Sequence, residues 1–338
     1  MVLAIAAAHR GPAGWYEVFD YGRSFEAKNE YLPALPAFGY GTRWFLDHFA
    51  EVAPALPVHA AGHPPGLLVT IRALGITTAP RLAALCIAAT GSLAPLAYAA
   101  GRRVLPETRA RATALLVAFS PVAAIIGVSS ADAIYAALGC VAAIGLVGHG
   151  RGARAGGTLA LAVASFFSWA LVAVGAFAVL VELQARGVKR AAALAAACVA
   201  AVVALYLALY AATGFDAVGA LRSTHQVYEA SIESVRPYAF WLFGSPVAFG
   251  VAIGVPIALH ALRACVAGQP IALALGGVVV AGSVLGFTKA ETERIWLFLM
   301  PLACLSAATV LPVHRLRWIL VALAAQALVS ELLFTTAW

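Results

Sequence analysis

Nine nearly unbroken apolar runs, at 82–100, 112–128, 132–148, 158–183, 190–212, 239–260, 270–288, 295–312 and 316–336, limit what this chain can fold into. A helix needs about 20 mostly apolar residues to cross the hydrocarbon core of a bilayer. Charged residues are only 11% of the 338, against about 25% in an ordinary soluble domain. So few charges cannot clothe the surface of a soluble fold of this length. A cytosolic enzyme, a nucleic-acid binder and a disordered chain are thereby excluded. The expectation is an all-α polytopic membrane protein, a single transmembrane domain over 1–338, with about nine membrane segments.

The net charge of +7 is spread in short loops rather than gathered on one face, which is the pattern of topology signals and not of phosphate-backbone binding. The loops 101–111, 149–155, 184–190, 261–269 and 313–315 are basic and belong in the cytoplasm. The inner side then carries twelve basic and two acidic residues, the outer side ten basic and thirteen acidic. Basic loops flank the 26-residue run 158–183 on both sides, yet two full crossings need roughly 40 residues. The run is therefore expected to be a re-entrant pair of half-helices turning at Phe166-Phe167-Ser168-Trp169. Residues 2–8 are apolar, too short to span, and preceded by no basic segment. They read as the end of a first span truncated before residue 9. The five cysteines form no CxxC pair and read as small core residues.

The most polar part of the chain is 9–81, placed outside. It holds Glu17, Asp20, Glu26, Glu30, Asp47 and Glu51, six of the 15 acids, among many aromatic rings. Residues 42–52 put Trp44, Phe45, Phe49 and Val52 on one helical face and Arg43, Asp47 and Glu51 on another, as in a helix lying on a membrane. A second short helix, 66–76, follows His63-Pro64-Pro65-Gly66. Carboxylates beside aromatic rings suit a site for sugars: a carboxylate accepts the proton of an attacking hydroxyl, and rings offer flat apolar platforms. Carboxylates also suit a divalent cation that bridges phosphate oxygens. His59 and His63 are four apart, but Ala60 replaces the glutamate of a zinc-protease helix, which disfavours zinc hydrolysis. His63 instead reads as a hydrogen-bonding or phosphate-facing group. Asp132 is either a helix N-cap or a second acid of the site. Lys289 and Arg294, in TKAETERIW (288–296), can clamp a lipid phosphate, or Arg294 can pair internally with Glu291 and Glu293.

The order of these features resembles the GT-C superfamily, the integral-membrane glycosyltransferases fed by polyprenyl-phosphate sugars, such as protein O-mannosyltransferases and lipid A aminoarabinose transferases. The resemblance rests on the outer acidic loop, the proline pair, the short helix, the span opening at Pro80-Arg81-Leu82, Ser120-Pro121, the outer Asp132, the broken run 158–183 and Glu293-Arg294-Ile295-Trp296. The Ala-rich composition, with the HPPG (63–66) and ERIW (293–296) pieces, is similar to actinobacterial members. It implies a multi-pass protein of the bacterial plasma membrane, with partners in the bilayer, a polyprenyl-phosphate-linked sugar and an acceptor hydroxyl. It also implies a catalytic acid early in the outer loop, just before an aromatic residue. Glu30-Tyr31 fits best, with Glu26 and Asp20 behind it. His63, Lys289, Arg294, Glu293, Asp132 and Tyr31 are the expected substrate-binding set. A transporter or lipid flippase, or an inactive truncated paralogue, is the alternative. Few ionisable groups at mid-depth and the lack of an obvious repeat count against a transporter.

Overall fold

The computed structural model describes residues 14–230, 236–286 and 289–333, and every regular element among them is helical. Residues 2–8, read above as the tail of a first span, lie outside the described residues.

The segment before residue 79 is a head of short turns. Pro33 and Pro36 deny Leu32–Phe38 the donors of an α-ladder, and it winds as a 3₁₀ helix. Helices α1 (Thr42–Asp47) and α2 (Gly66–Ala73) follow. The amphipathic run 42–52 breaks at His48, and its apolar face is turned into the protein, not toward lipid. Phe45 and Phe49 are fully buried. Phe45 stacks 4.1 Å from Phe38, and Phe49 lies 6.0 Å from Phe215. These rings offer closer packing than acyl chains do. Leu67, Leu68 and Ile71 of α2 are buried in the same way, leaving Arg72 outside. Of the aromatics near α1, Tyr40 and Trp44 stay exposed.

Then comes the bundle. Helix α3 (Ala79–Val104) opens on Pro80 and ends on Arg102 and Arg103, a proline in the first turn and cations in the last, as helix ends favour. Helix α4 (Glu107–Phe119) stops at Ser120-Pro121 and gives way to a π-turn, Ala123–Gly127. Helix α5 (Asp132–Leu146) crosses α6 (Arg151–Ser165) at Gly145 and Gly157, where an added Cβ on Gly145 would sit 2.5 Å from the Gly157 Cα. Small residues here let two backbones close on each other. Next are α7 (Val172–Arg186), α8 (Val188–Thr213) and α9 (Ala217–Glu229). Helices α10 (Tyr238–Ile253) and α11 (Val255–Val266) meet at a 118° bend on Gly254. Helices α12 (Pro270–Val284), α13 (Met300–Ala308) and α14 (Leu316–Leu333) complete the order.

Among the described residues four helical segments can cross a membrane by length and composition: α3, Trp169–Arg186, α8 and Val313–Leu333. The bent pair α10–α11 makes up to five. The nine apolar runs therefore do not become nine long helices. One of them is enclosed by protein: all nine residues of α13 are buried.

The run 158–183 breaks at 166–168, where the turn was expected. Arg154 Nη2 lies 2.8 Å from Glu182 Oε2. A straight helix would hold residues 28 apart at about 42 Å, so α6 and α7 form a hairpin. At its tip the Gly66 N–H of α2 donates to the Phe166 carbonyl at 2.9 Å, which docks the head onto the turn. At its open end Arg102, Arg109, His149, Arg154, Arg186 and Gln269 line one cavity of about 720 Å³. Four of the loops read as cytoplasmic thus meet at the end opposite the head.

The head–hairpin junction has no spare room. A Cβ on Gly66 would sit 2.3 Å from the Phe166 carbonyl oxygen. Gly66→Ala is expected to cost about 1–3 kcal/mol, read as a lower melting temperature of the detergent-solubilised chain. Gly152→Ala, in open space on α6, is the control expected to melt no lower than wild type.

Candidate functional site

Six of the nine expected site residues converge under the head. Glu26 sits on the 3₁₀ turn Glu26–Lys28, and Glu30 and Tyr31 follow it. Asp132 opens α5, and Arg294 lies on the single turn Thr292–Ile295. His63 precedes α2. They come from four separate segments, so only the tertiary fold assembles them.

The centre is the Asp132–Arg294 pair, at 2.7 Å, with both side chains almost fully buried. Arg294 turns its other nitrogen to Glu291 at 2.6 Å. Glu291, not Glu293, is its acidic neighbour on that turn. Ala290 and Glu291 hold positive φ angles of 30° and 50°, a conformation that side chains bearing a Cβ rarely adopt and that clusters at functional sites. Asp132 also accepts from the Ser130 hydroxyl at 2.6 Å. The N-cap reading of Asp132 does not hold: Asp132 is the first helical residue, its carboxylate spent on Arg294 and Ser130.

Around this pair lie two further contacts. His59 Nε2 meets Glu26 Oε1 at 2.9 Å, and the His59 backbone N–H donates to the Asn29 carbonyl. The Tyr31 and Tyr135 hydroxyls are 2.6 Å apart, and the His63 ring lies 4.8 Å from the Tyr135 ring. Sequence reasoning passed over His59 as half of a failed zinc motif and missed Tyr135. The signal for Tyr135 was its spacing: it follows Asp132 by three, hence on the same helix face.

Burial and neighbouring charge sort the two glutamates of the cluster, Glu26 and Glu30. Burial pushes the Glu30 carboxyl up to about 7, against the pull of His59 and Arg294 and with the push of Asp132 and Glu26. Its Oε2 is buried with no hydrogen-bond partner. Burial also pushes Glu26 up, but the hydrogen bond and charge of His59, with Asn29 and Arg294, outweigh it and hold that carboxyl below its ordinary value. Burial pushes the imidazole of the half-buried His63 down to about 4, and the charges of Arg294 and His59 add to this against Asp132. At neutral pH His63 is an uncharged hydrogen-bonding group, not a cationic clamp.

Asp20, Lys289 and Glu293 stand apart. Asp20 is in a surface turn, accepting from the Gly22 N–H at 3.1 Å and 3.5 Å from Arg23. The Lys289 backbone N–H donates to the Tyr228 hydroxyl, and Glu293 is half-buried beside Arg294. Among the described residues no three His, Cys, Asp or Glu side chains are grouped to hold a metal ion. Glu26 is engaged with His59, and Asp132 and Glu291 with Arg294.

Comparison with protein-family models, with curated proteins and with solved structures finds no match to this chain.

Two predictions follow from the geometry. Between pH 4.5 and about 7 the native Glu30 holds a proton that the unfolded chain has released, so stability falls as pH rises through that window and stays low above it. Glu30→Gln is expected to raise the melting temperature at about pH 8 and to leave it near wild type at about pH 4. The Asp132–Arg294 pair behaves oppositely to a surface ion pair. Arg294→Met alone leaves a buried anion and is expected to cost about 3–5 kcal/mol, while Arg294→Met with Asp132→Asn recovers part of that loss. Thermal melts of the four proteins in one detergent measure the coupling.

Proposed function

We propose that the chain is a GT-C-like membrane glycosyltransferase that moves a sugar from a polyprenyl phosphate to an acceptor hydroxyl at the outer face. One observation carries the reading: Glu30 is a fully buried carboxyl with an unpartnered oxygen and a proton affinity near neutrality. A purely structural polar cluster satisfies its buried acceptors. A general base instead needs a free lone pair and a pKa near the working pH.

In this reading the acceptor oxygen attacks the anomeric carbon and gives its proton to Glu30. The bond from that carbon to the phosphate oxygen breaks, and the polyprenyl phosphate leaves with the electron pair. Arg294 and neutral His63 stand nearest to the departing phosphate. The preorganised Asp132–Arg294–Glu291 system fixes the guanidinium in place before the charge develops. Glu26, tied to His59, orients the head and is not the base. Substrates reach Glu30, 1% exposed, only when the head shifts from its closed position.

The same reading takes the bundle to have about nine membrane segments, with α6–α7 re-entering from the cytoplasm and the head outside a bacterial plasma membrane. The basic loops gathered at the end opposite the head support this orientation. The hairpin tip is capped by the head, as broken backbone at membrane depth requires.

The test is transfer by the purified full chain in lipid vesicles, with a panel of polyprenyl-phosphate hexoses and pentoses and mass detection of released polyprenyl phosphate. Glu30→Gln is expected to lower transfer by about a hundredfold or more, with Asp20→Asn near wild type. Undiminished transfer by Glu30→Gln removes the base from this site.

A further inference from the structure

We propose that the cavity at the end opposite the head binds a phosphate-bearing headgroup. Its volume of about 720 Å³ is that of a ligand pocket. Arg102, Arg103, Arg109, Arg154 and Arg186 line it, against a single lining acid, Glu182. Glu182 is shared by Arg154 at 2.8 Å and Arg186 at 3.5 Å. Arg102 is matched by Glu107 at 2.7 Å, and Arg109 donates to the Ala308 carbonyl. No carboxylate pairs with Arg103 among the described residues. Five guanidiniums thus face one concavity with two carboxylates to balance them.

Like charges drawn into one concavity repel, and two carboxylates offset only part of that repulsion. A bound anion removes the repulsion. The guanidinium fork matches phosphate oxygens two at a time, which makes phosphate the fitting anion. The same cavity has an apolar side of Val104, Leu105, Val147, Val181 and Ile271. Exposed Leu183 and Leu273 lie on the adjoining helices α7 and α12, which pack together. That combination of a basic mouth and an apolar flank fits a phospholipid of the inner leaflet, where basic pockets between membrane helices recognise anionic headgroups. A soluble phosphate compound shares the headgroup chemistry and not the apolar flank.

The test uses the full chain in a neutral detergent, titrated separately with fluorescent phosphatidylglycerol, phosphatidylcholine of the same acyl chains, and inorganic pyrophosphate. Phosphatidylglycerol is expected to bind more tightly than phosphatidylcholine. Arg103→Gln and Arg186→Gln should each weaken it by about fivefold. Both side chains are at the surface, so the variants fold, and Arg103→Lys, which keeps the charge and loses the fork, should restore only part of the affinity. Arg72→Gln removes the same charge at the opposite end and should change nothing. Pyrophosphate binding with the same arginine dependence, and no preference for phosphatidylglycerol, supports the site and makes its ligand soluble. The proposal is overturned by equal affinity for the two lipids without pyrophosphate binding. Equal weakening by Arg72→Gln and Arg103→Gln overturns it too.

Discussion

The Asp132–Arg294 ion pair is the contact on which the rest of the head end depends. It joins the first residue of α5 to a turn 162 positions later, with both charges almost out of water. Taking two charges out of water costs several kcal/mol each, and only close geometry with further hydrogen bonds repays it. The chain supplies these: Ser130 for the aspartate and Glu291 for the arginine. The strained backbone at Ala290 and Glu291 makes sense in this setting, since it puts Glu291 and Arg294 on one short turn over the end of α5. Glu30, Tyr31 and His63 take their surroundings from this fixed charge pair.

The head is held at two points of different character. One is polar, where the hydroxyls of Tyr31 and Tyr135 meet. The other is a backbone contact, where α2 begins on the carbonyl that ends α6. The second explains why the hairpin tip is tolerated. A broken helix frees backbone groups, and apolar surroundings penalise them unless protein covers them. At the far end Arg154 and Glu182 close the same hairpin. The unit thus has its tip against the head and its open ends against the basic cavity.

Much of this was legible in the sequence, and the legible part follows from burial and charge. Apolar runs of a given length give helices, and the break at Phe166–Ser168 could be placed because basic loops flank a run too short for two crossings. Glu30, Tyr31, Asp132 and Arg294 could be proposed as one site because their loops fall on one side. What was not legible depends on packing. Periodicity identifies an apolar face, and for 42–52 it did, but it does not say whether Phe45 and Phe49 meet lipid or Phe38 and Phe215. Run length likewise cannot separate α3, which is long enough to cross, from the buried α13. The partner of His59 lies 33 residues earlier, and no spacing rule reaches that far.

The sorting of the carboxylates is the step that turns a polar cluster into a candidate centre. Glu26 and Glu30 lie one turn apart in the same head, share the field of Arg294 and His59, and yet diverge. Glu26 is half-buried and touches His59, so its anion is stabilised. Glu30 feels the same two cations but has no donor on Oε2, so desolvation wins and its proton affinity rises to about 7. Two carboxyls with proton affinities pushed apart by environment can divide roles between them, one as a fixed charge and one as a proton carrier. Asp132 is held at its Oδ2 by both Arg294 and Ser130, which places it with Glu26 as a fixed charge. Glu30 differs from both in having a buried oxygen without a partner, which is why the proposed transfer assigns the proton to it.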